Sequence, residues 1–392
     1  MEFQTKAIHA GDREKLTSAV PVTTPVMTAV SYIYEDVETL DRVFGDEVEG
    51  PSYSRFGNPT SQALERLLAT LESGAAAFTA SSGMGAMHLA LQAALADRRR
   101  SIVAANALFG ATLKLLTGVL APSGAEVTFV DMCDLEAVER AVEQAKPGAI
   151  VLESVSNPLL RVGRIDELAG IANRAGAALV VDNTFATPLL LRPIEHGAHM
   201  VVQSLTKYLS GHGDVLGGAV ICTEEYRGVV RTLSRTTGPN LGPFDAYLSM
   251  RGIKTFPLRM ERQCQNAARA AAWLRQHPRG LRVHYPDDPA HPDAEAIRRL
   301  FAPDLRGAVV SVELPGAGRD EVFAFLNRLK LVVKATSVGD VHSMVLYPAM
   351  SSHRELSPRH RQRLGIGDGL VRFSFGIEAI ADILADLEQA LA

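Results

Sequence analysis

The chain has 392 residues, 47% of them hydrophobic, with 40 Lys and Arg against 44 Asp and Glu and a formal net charge of -4. That length and apolar content can bury more than one core, so two domains, or three if one is small, are expected. The evenly scattered charge gives no basis for nucleic acid or an anionic membrane as a partner. No apolar run approaches the length of a membrane span, and the Met-Glu-Phe-Gln-Thr-Lys start lacks a signal-peptide pattern, so a cytoplasmic protein is expected.

Residues 1–60 are rich in Pro, Thr, Gly and Tyr, with one helical stretch near Glu38–Phe44. Such a segment reads as an arm laid on another surface. From about residue 75 short apolar β-forming runs alternate with longer helical ones: Ala75–Thr79, Gly83–Ala96, Ser101–Ala104, Gly110–Leu120, Glu126–Val130, Leu135–Gln144, Ala149–Leu152, Ile165–Arg174 and Ala178–Val181. Ala-Leu-Val-Val at 178–181 is apolar on both faces, as inside a covered, mostly parallel sheet. His199–Gln203 and Gly218–Cys222 read as two further strands. Beyond about Met250 come a long helix through Arg262–Leu274, a turn region at Pro286–Pro292, strands near Ala308–Glu313 and Val332–Lys334, and a final helix. The expectation is an α/β protein with an arm over 1–60, a main domain over 61–250 and a smaller α/β domain over 251–392. Cys133, Cys222 and Cys264 are an odd number spaced far apart, which fits neither a disulfide framework nor a paired-cysteine zinc site. No metal is expected.

Three segments carry chemistry. Ala80-Ser-Ser-Gly-Met-Gly85 lies between a strand and a helix, so the amides of Gly83 and Met84 point toward any anion at that helix N-terminus. Its glycine spacing matches neither the dinucleotide fingerprint nor the P-loop. Asp182 ends a buried parallel strand, the edge where open α/β sheets place ligands, and a carboxylate there needs a cation such as a pyridinium nitrogen. Ser204-Leu-Thr-Lys-Tyr-Leu-Ser-Gly-His-Gly-Asp214 sets Lys207 beside Ser204 and Thr206, two hydroxyls able to hold a phosphate. A buried lysine amine condenses with an aldehyde once it is neutral. Each segment alone has an ordinary structural reading: a strand-to-helix turn, a turn cap, a surface lysine beside a Ser/Thr turn. Together, in that order, they point to pyridoxal 5′-phosphate.

Further segments run nearly end to end: Ile8-His-Ala-Gly11, Tyr53-Ser-Arg55 with Asn58-Pro-Thr60, Ser82-Gly-Met-Gly85, Glu153 with Asn157-Pro158, Val181-Asp-Asn-Thr184, Ser204-Leu-Thr-Lys-Tyr208, Met250-Arg-Gly-Ile-Lys-Thr255, Ser337-Val-Gly-Asp340 and Val371-Arg-Phe-Ser374. In them the sequence resembles the Cys/Met-metabolism family of pyridoxal-phosphate enzymes, which includes cystathionine γ-synthases, cystathionine γ-lyases, methionine γ-lyases and O-acylhomoserine sulfhydrylases. The resemblance implies the fold-type I transferase fold: a mostly parallel seven-stranded sheet with helices on both faces, an N-terminal arm and a smaller C-terminal α/β domain. It implies that Lys207 carries the cofactor as a Schiff base and moves protons, that Asp182 pairs with the pyridine nitrogen and that Asn157 touches the ring hydroxyl. Ser82, Gly83, Met84, Ser204 and Thr206 would bind the phosphate. Tyr53 and Arg55 would reach the phosphate of a neighbouring subunit, in a homotetramer built from two dimers. Arg372 would clamp the α-carboxylate of an amino-acid substrate, with Ser337 and Asn157 beside it.

Two departures bear on the substrate. Phe109 stands where the family usually stacks a tyrosine on the cofactor ring, so stacking survives while the hydroxyl that protonates a leaving sulfur is lost, leaving that task to Lys207 or Tyr53. Ala111 stands where many methionine γ-lyases have cysteine, and His342 where glutamate is frequent. The expected activity is γ-elimination of a sulfur amino acid, L-methionine first, giving a thiol, ammonia and 2-oxobutanoate. Cystathionine γ-synthase or γ-lyase activity and O-acylhomoserine γ-replacement are the alternatives.

Overall fold

The structure, a computed structural model, describes residues 1–12, 19–96, 99–354 and 358–392. Seven strands rich in Ala, Val and Ile build the larger of two sheets: β1 (Ala76–Ala80), β2 (Ser101–Ala105), β3 (Glu126–Val130), β4 (Ala149–Glu153), β5 (Ala178–Asp182), β6 (Met200–Ser204) and β7 (Gly218–Cys222). Their order is β1-β7-β6-β5-β4-β2-β3. β7 runs antiparallel to both neighbours, whereas β6-β5, β5-β4, β4-β2 and β2-β3 are parallel. Helices Gly83–Ala94, Leu135–Ala145 and Ile165–Ala175 pack on the sheet. Every residue of β2, β4 and β7 is buried, which explains their uninterrupted apolar runs.

The smaller sheet comprises β8 (Arg282–His284), β9 (Val309–Glu313), β10 (Val333–Lys334), β11 (Met344–Leu346) and β12 (Leu370–Ser374), in the order β10-β11-β12-β9-β8. It has its own core, in which Phe373 and Phe375 stack at 5.9 Å and the closing helix Ile380–Leu391 contributes Ile383 and Leu387.

A single 33-residue helix, Pro243–Arg275, joins the two cores. Its Ile253, Phe256 and Met260 lie in the first and its Ala267, Ala270 and Leu274 in the second. The sequence reading begins this helix only at Arg262, because Gly252 and Pro257 are helix breakers. Burial of Gly252, Phe256 and Pro257 against the main body overrides that local preference.

The reading of one helix in residues 1–60 is also corrected. Besides Val37–Phe44 there is Phe3–His9, whose buried Ala7 docks onto helices Pro59–Glu72 and Pro243–Arg275 of the same chain. Phe3 meets Phe256 edge-on at 6.1 Å, and Lys254 pairs with Asp12. Val22, Ile33, Val37 and Phe44 of the arm remain exposed. The run 110–120 is not one α-helix either, since Gly110–Leu115 passes into a π-helical turn at Leu116–Leu120. Helices Pro59–Glu72, Glu224–Thr237, Ala294–Leu300 and Arg319–Arg328 went unread in the sequence. Among the described residues no helix is long and apolar enough to cross a membrane.

One ion pair ties the segment after β4 to the segment before helix Ala294–Leu300. Arg161 donates to both oxygens of Asp293 at 2.7 and 2.9 Å, and the Val162 N–H adds a third bond at 2.9 Å. Burial works to raise the pKa of Asp293, but the bonds from Arg161 and Val162 prevail and hold it below the usual carboxylate range. The stability it contributes is therefore present above the unfolded pKa of about 4 and lost as pH falls through the lower folded value. Asp293→Asn is expected to cost about 2 kcal/mol at pH 7, less than for a fully buried pair because Arg161 keeps part of its side chain in water. Thermal denaturation from pH 7 to pH 3 checks this, and the gap between variant and parent should close as pH falls.

Candidate active site

The carboxyl ends of β4, β5 and β6 meet on one edge of the larger sheet. Glu153 ends β4, Asp182 ends β5 and Ser204 ends β6, with Glu153 and Asp182 paired in register. Gly83 opens the helix that follows β1, and Ser82 caps it by accepting from the Gly85 N–H at 3.0 Å. A side-chain carbon on Gly83 would stand 3.0 Å from the Ser204 Cβ, so glycine there lets the helix N-terminus close against the end of β6. Gly83, Met84 and Ser204 thus lie together. The Thr206 hydroxyl is engaged within its own loop, donating to the Gly217 carbonyl at 3.2 Å and accepting from the Gly217 N–H at 3.0 Å.

Lys207 lies in the turn after β6, and its Nζ donates to the Ser337 Oγ at 3.0 Å. Burial, together with the nearby Arg372 charge, lowers its pKa, which favours the neutral amine. Among the described residues no carboxylate pairs with it. The loop that carries it is held from behind by the buried Arg259, which donates to the carbonyls of Tyr208 at 2.8 Å, Leu209 at 3.1 Å and Gly252 at 2.9 Å. The long helix approaches this loop so closely at Gly252 that a Cβ would fall 2.3 Å from the Ser210 carbonyl oxygen.

Asp182 accepts from the Thr184 N–H at 3.0 Å, and the Thr184 Oγ1 in turn accepts from the Ser204 N–H at 3.0 Å. Desolvation raises the pKa of Asp182 against the pull of these Thr184 bonds, and among the described residues it has no cationic partner. A desolvated carboxylate with a free lone pair, aimed from a strand end, fits the protonated nitrogen of a pyridine ring.

The smaller sheet supplies Arg372 on β12 and Ser337 on the loop between β10 and β11. Arg372 is 5% exposed. It donates to the Asn157 Oδ1 at 2.7 Å and the Ser337 carbonyl at 3.1 Å, lies 5.9 Å from the Phe185 ring, and leaves its Nε unpartnered. Burial lowers its pKa to about 10, with Tyr208 and Glu153 opposing. Buried and without a carboxylate partner among the described residues, this guanidinium is ready for an incoming one.

Phe109 stays 43% exposed, and its N–H donates to the Glu153 Oε1 at 2.5 Å. Tyr53 and Arg55 sit elsewhere. Arg55 donates to the Arg235 carbonyl at 2.5 Å and lies over the Phe56 ring at 4.6 Å, while Tyr53 meets Phe56 edge-on at 6.3 Å. These contacts do not join them to Lys207, Asp182 or Arg372. The structure therefore brings together Lys207, Asp182, Arg372, Ser337 and Asn157, with Gly83 and Ser204 beside them, and leaves Tyr53 and Arg55 apart.

The profile of the Cys/Met metabolism PLP-dependent enzymes matches residues 4–392. The chain belongs to this family. It is 40% identical to an L-methionine gamma-lyase of Fusobacterium nucleatum subsp. polymorphum over 390 residues, 99% of this chain and 97% of that one. It is 39% identical to a cystathionine gamma-lyase of Bacillus subtilis over 393 residues, 100% of this chain and 99% of that one. A Campylobacter jejuni chain assigned as an O-acetylhomoserine (thiol)-lyase superposes over 100% of both chains with a TM-score of 0.92 at 28% identity, and carries N′-pyridoxyl-lysine-5′-monophosphate. This family member is a pyridoxal-phosphate enzyme of the carbon-sulfur lyase and γ-replacement group with the fold-type I architecture.

Sequence reasoning missed three supports of the site. Thr184 and Glu153 stood in recognised motifs without a role. Arg259 left no local signal, because its partners are backbone carbonyls of a distant loop. Incubated with cofactor and dialysed, the parent protein is expected to keep a visible absorption band and Lys207→Ala to lose it. A band that survives dialysis in Lys207→Ala would refute the assignment of Lys207.

Proposed function

We propose that this chain is a γ-lyase of sulfur amino acids, acting first on L-methionine and releasing a thiol, ammonia and 2-oxobutanoate. The observation that carries the reading is the junction at Ser337: its hydroxyl accepts from Lys207 while its carbonyl accepts from Arg372. An amino acid anchored by its carboxylate on Arg372 then brings its α-carbon to the lysine amine. Identity of 40% to an L-methionine gamma-lyase along 99% of the chain supports the choice of substrate.

When bound, pyridoxal phosphate supplies an electron sink for negative charge at the substrate carbons. Lys207 would hold it covalently, and its amine, which burial shifts toward the neutral form, would take the proton from the α-carbon and carry protons onward. Asp182 would keep the ring nitrogen protonated. The helix N-terminus at Gly83 and Met84, with Ser82 and Ser204, would hold the phosphate, and the Thr206 hydroxyl would join them only by giving up its bond to the Gly217 carbonyl. Phe109 would stack on the ring, and Asn157, whose Oδ1 accepts from Arg372, would also reach the ring hydroxyl. Tyr53 and Arg55 complete the phosphate site of a second copy. The exposed Val22, Ile33, Val37 and Phe44 of the arm suit burial between copies, in a tetramer of two dimers working in the cytoplasm.

A specific observation favours a second reading. Phe109 has no hydroxyl to give a leaving sulfur, whereas the carboxylate expelled from an O-acylhomoserine leaves without protonation. Replacement of that group by a thiol is then the alternative activity. Incubation with L-methionine, cystathionine, homocysteine and O-acylhomoserines, with and without a thiol, decides between them. 2-Oxobutanoate from methionine is expected, and its absence sinks the first reading. Arg372→Lys is expected to raise the KM for the amino acid at least about tenfold, since the forked contact is lost while charge is kept.

A further inference from the structure

Glu153 is 8% exposed and ends β4, next to β5 on one side and β2 on the other. No cation touches its carboxylate among the described residues. Its two oxygens serve different loops: Oε1 accepts from the Phe109 N–H at 2.5 Å, and Oε2 accepts from the Asn157 N–H at 3.1 Å. Phe109 follows β2 and Asn157 follows β4, so neither N–H has a strand partner, and one side chain satisfies both. Asn157 then passes the constraint on, because its Oδ1 receives the Arg372 guanidinium at 2.7 Å.

We propose that Glu153 is a positioning residue of the active site, whose one carboxylate sets the spacing between the ring-stacking Phe109 and the Arg372 clamp through the backbones of Phe109 and Asn157. Two N–H donors aimed at two oxygens of one group require two acceptors. A carboxylate offers both, whereas an amide offers one and turns an NH2 against the other donor. Keeping an unpaired carboxylate in this place, beside Asp182 in the next strand, is costly: burial and the Asp182 charge push its pKa up to about 8 against the pull of the Phe109 and Asn157 N–H bonds, so the two-acceptor form prevails above about pH 8, where the variants are compared. A group kept only to fill the strand end would be apolar or an amide. The chain places here the side chain that ties substrate binding to ring stacking. The inference rests on the cofactor site proposed above.

The test uses the holoenzyme with Glu153→Gln, which keeps size but loses one acceptor, Glu153→Met, which keeps length and loses both, and Glu153→Asp, which keeps the charge. The readouts are the cofactor dissociation constant, KM and kcat, and the inhibition constant of 4-(methylthio)butanoate, a carboxylate ligand with no amino group. In Gln, or in Met if Gln does not fold, KM and the inhibition constant should each rise about tenfold, the scale of one hydrogen bond to a charged group. The cofactor should bind more weakly, kcat should change less than about threefold, and Asp should recover part of the loss. Values within twofold of the parent, or a fall in kcat and melting temperature with KM and the inhibition constant unchanged, overturn the proposal. If the parent itself takes up no cofactor, the reading of the whole site falls; if it does and the variants match it, only the role of Glu153 falls.

Discussion

Four ionisable side chains share one desolvated edge of the larger sheet, and none of them neutralises another by direct contact: Asp182 and Glu153 on strand ends, Lys207 on the next turn and Arg372 arriving from the smaller sheet. Each is steadied by neutral partners instead. Thr184 holds Asp182, the Phe109 and Asn157 amides hold Glu153, Ser337 holds Lys207, and Asn157 with Ser337 holds Arg372. Burying charge this way lowers stability, but it leaves a cation-seeking carboxylate, an amine shifted toward its neutral form and an anion-seeking guanidinium available to ligands.

Holding such groups apart needs a stiff frame. The Pro243–Arg275 helix is part of both cores, so the sheet that carries Arg372 cannot drift from the sheet that carries Asp182 without opening apolar contacts in each. The same helix supplies Arg259, whose guanidinium gathers the carbonyls just beyond Lys207, and Gly252, whose missing side chain permits the approach. Arg161 and Asp293 fasten helix Ala294–Leu300, whose Ala296, Ile297 and Leu300 lie in the first core, to the segment after β4. Scaffold and chemistry thus share residues, and damage to the helix would be felt at the lysine.

The aromatic side chains of Phe109 and Tyr53 remain exposed in the single chain. Phe109 is 43% exposed and the arm presents several bare apolar side chains, while Tyr53 and Arg55 engage their own chain away from the cluster.

The sequence alone determined the sheet strands, the cofactor, the family and most of the residues now found together, because buried parallel strands leave apolar runs and the cofactor's phosphate, ring nitrogen and aldehyde each demand a distinct residue type at a strand end. It did not show helix Phe3–His9, or the start of the Pro243–Arg275 helix across Gly252 and Pro257, since local propensity opposed what burial decided. Only the tertiary structure placed Arg372 and Ser337 of the smaller sheet against Lys207, gave Glu153 its two loops, closed the Thr206 hydroxyl onto Gly217, and set Tyr53 and Arg55 aside. Those relations join residues up to 215 positions apart, as for Asn157 and Arg372, and depend on how two cores dock around one helix. Periodicity and spacing in a linear chain do not record that.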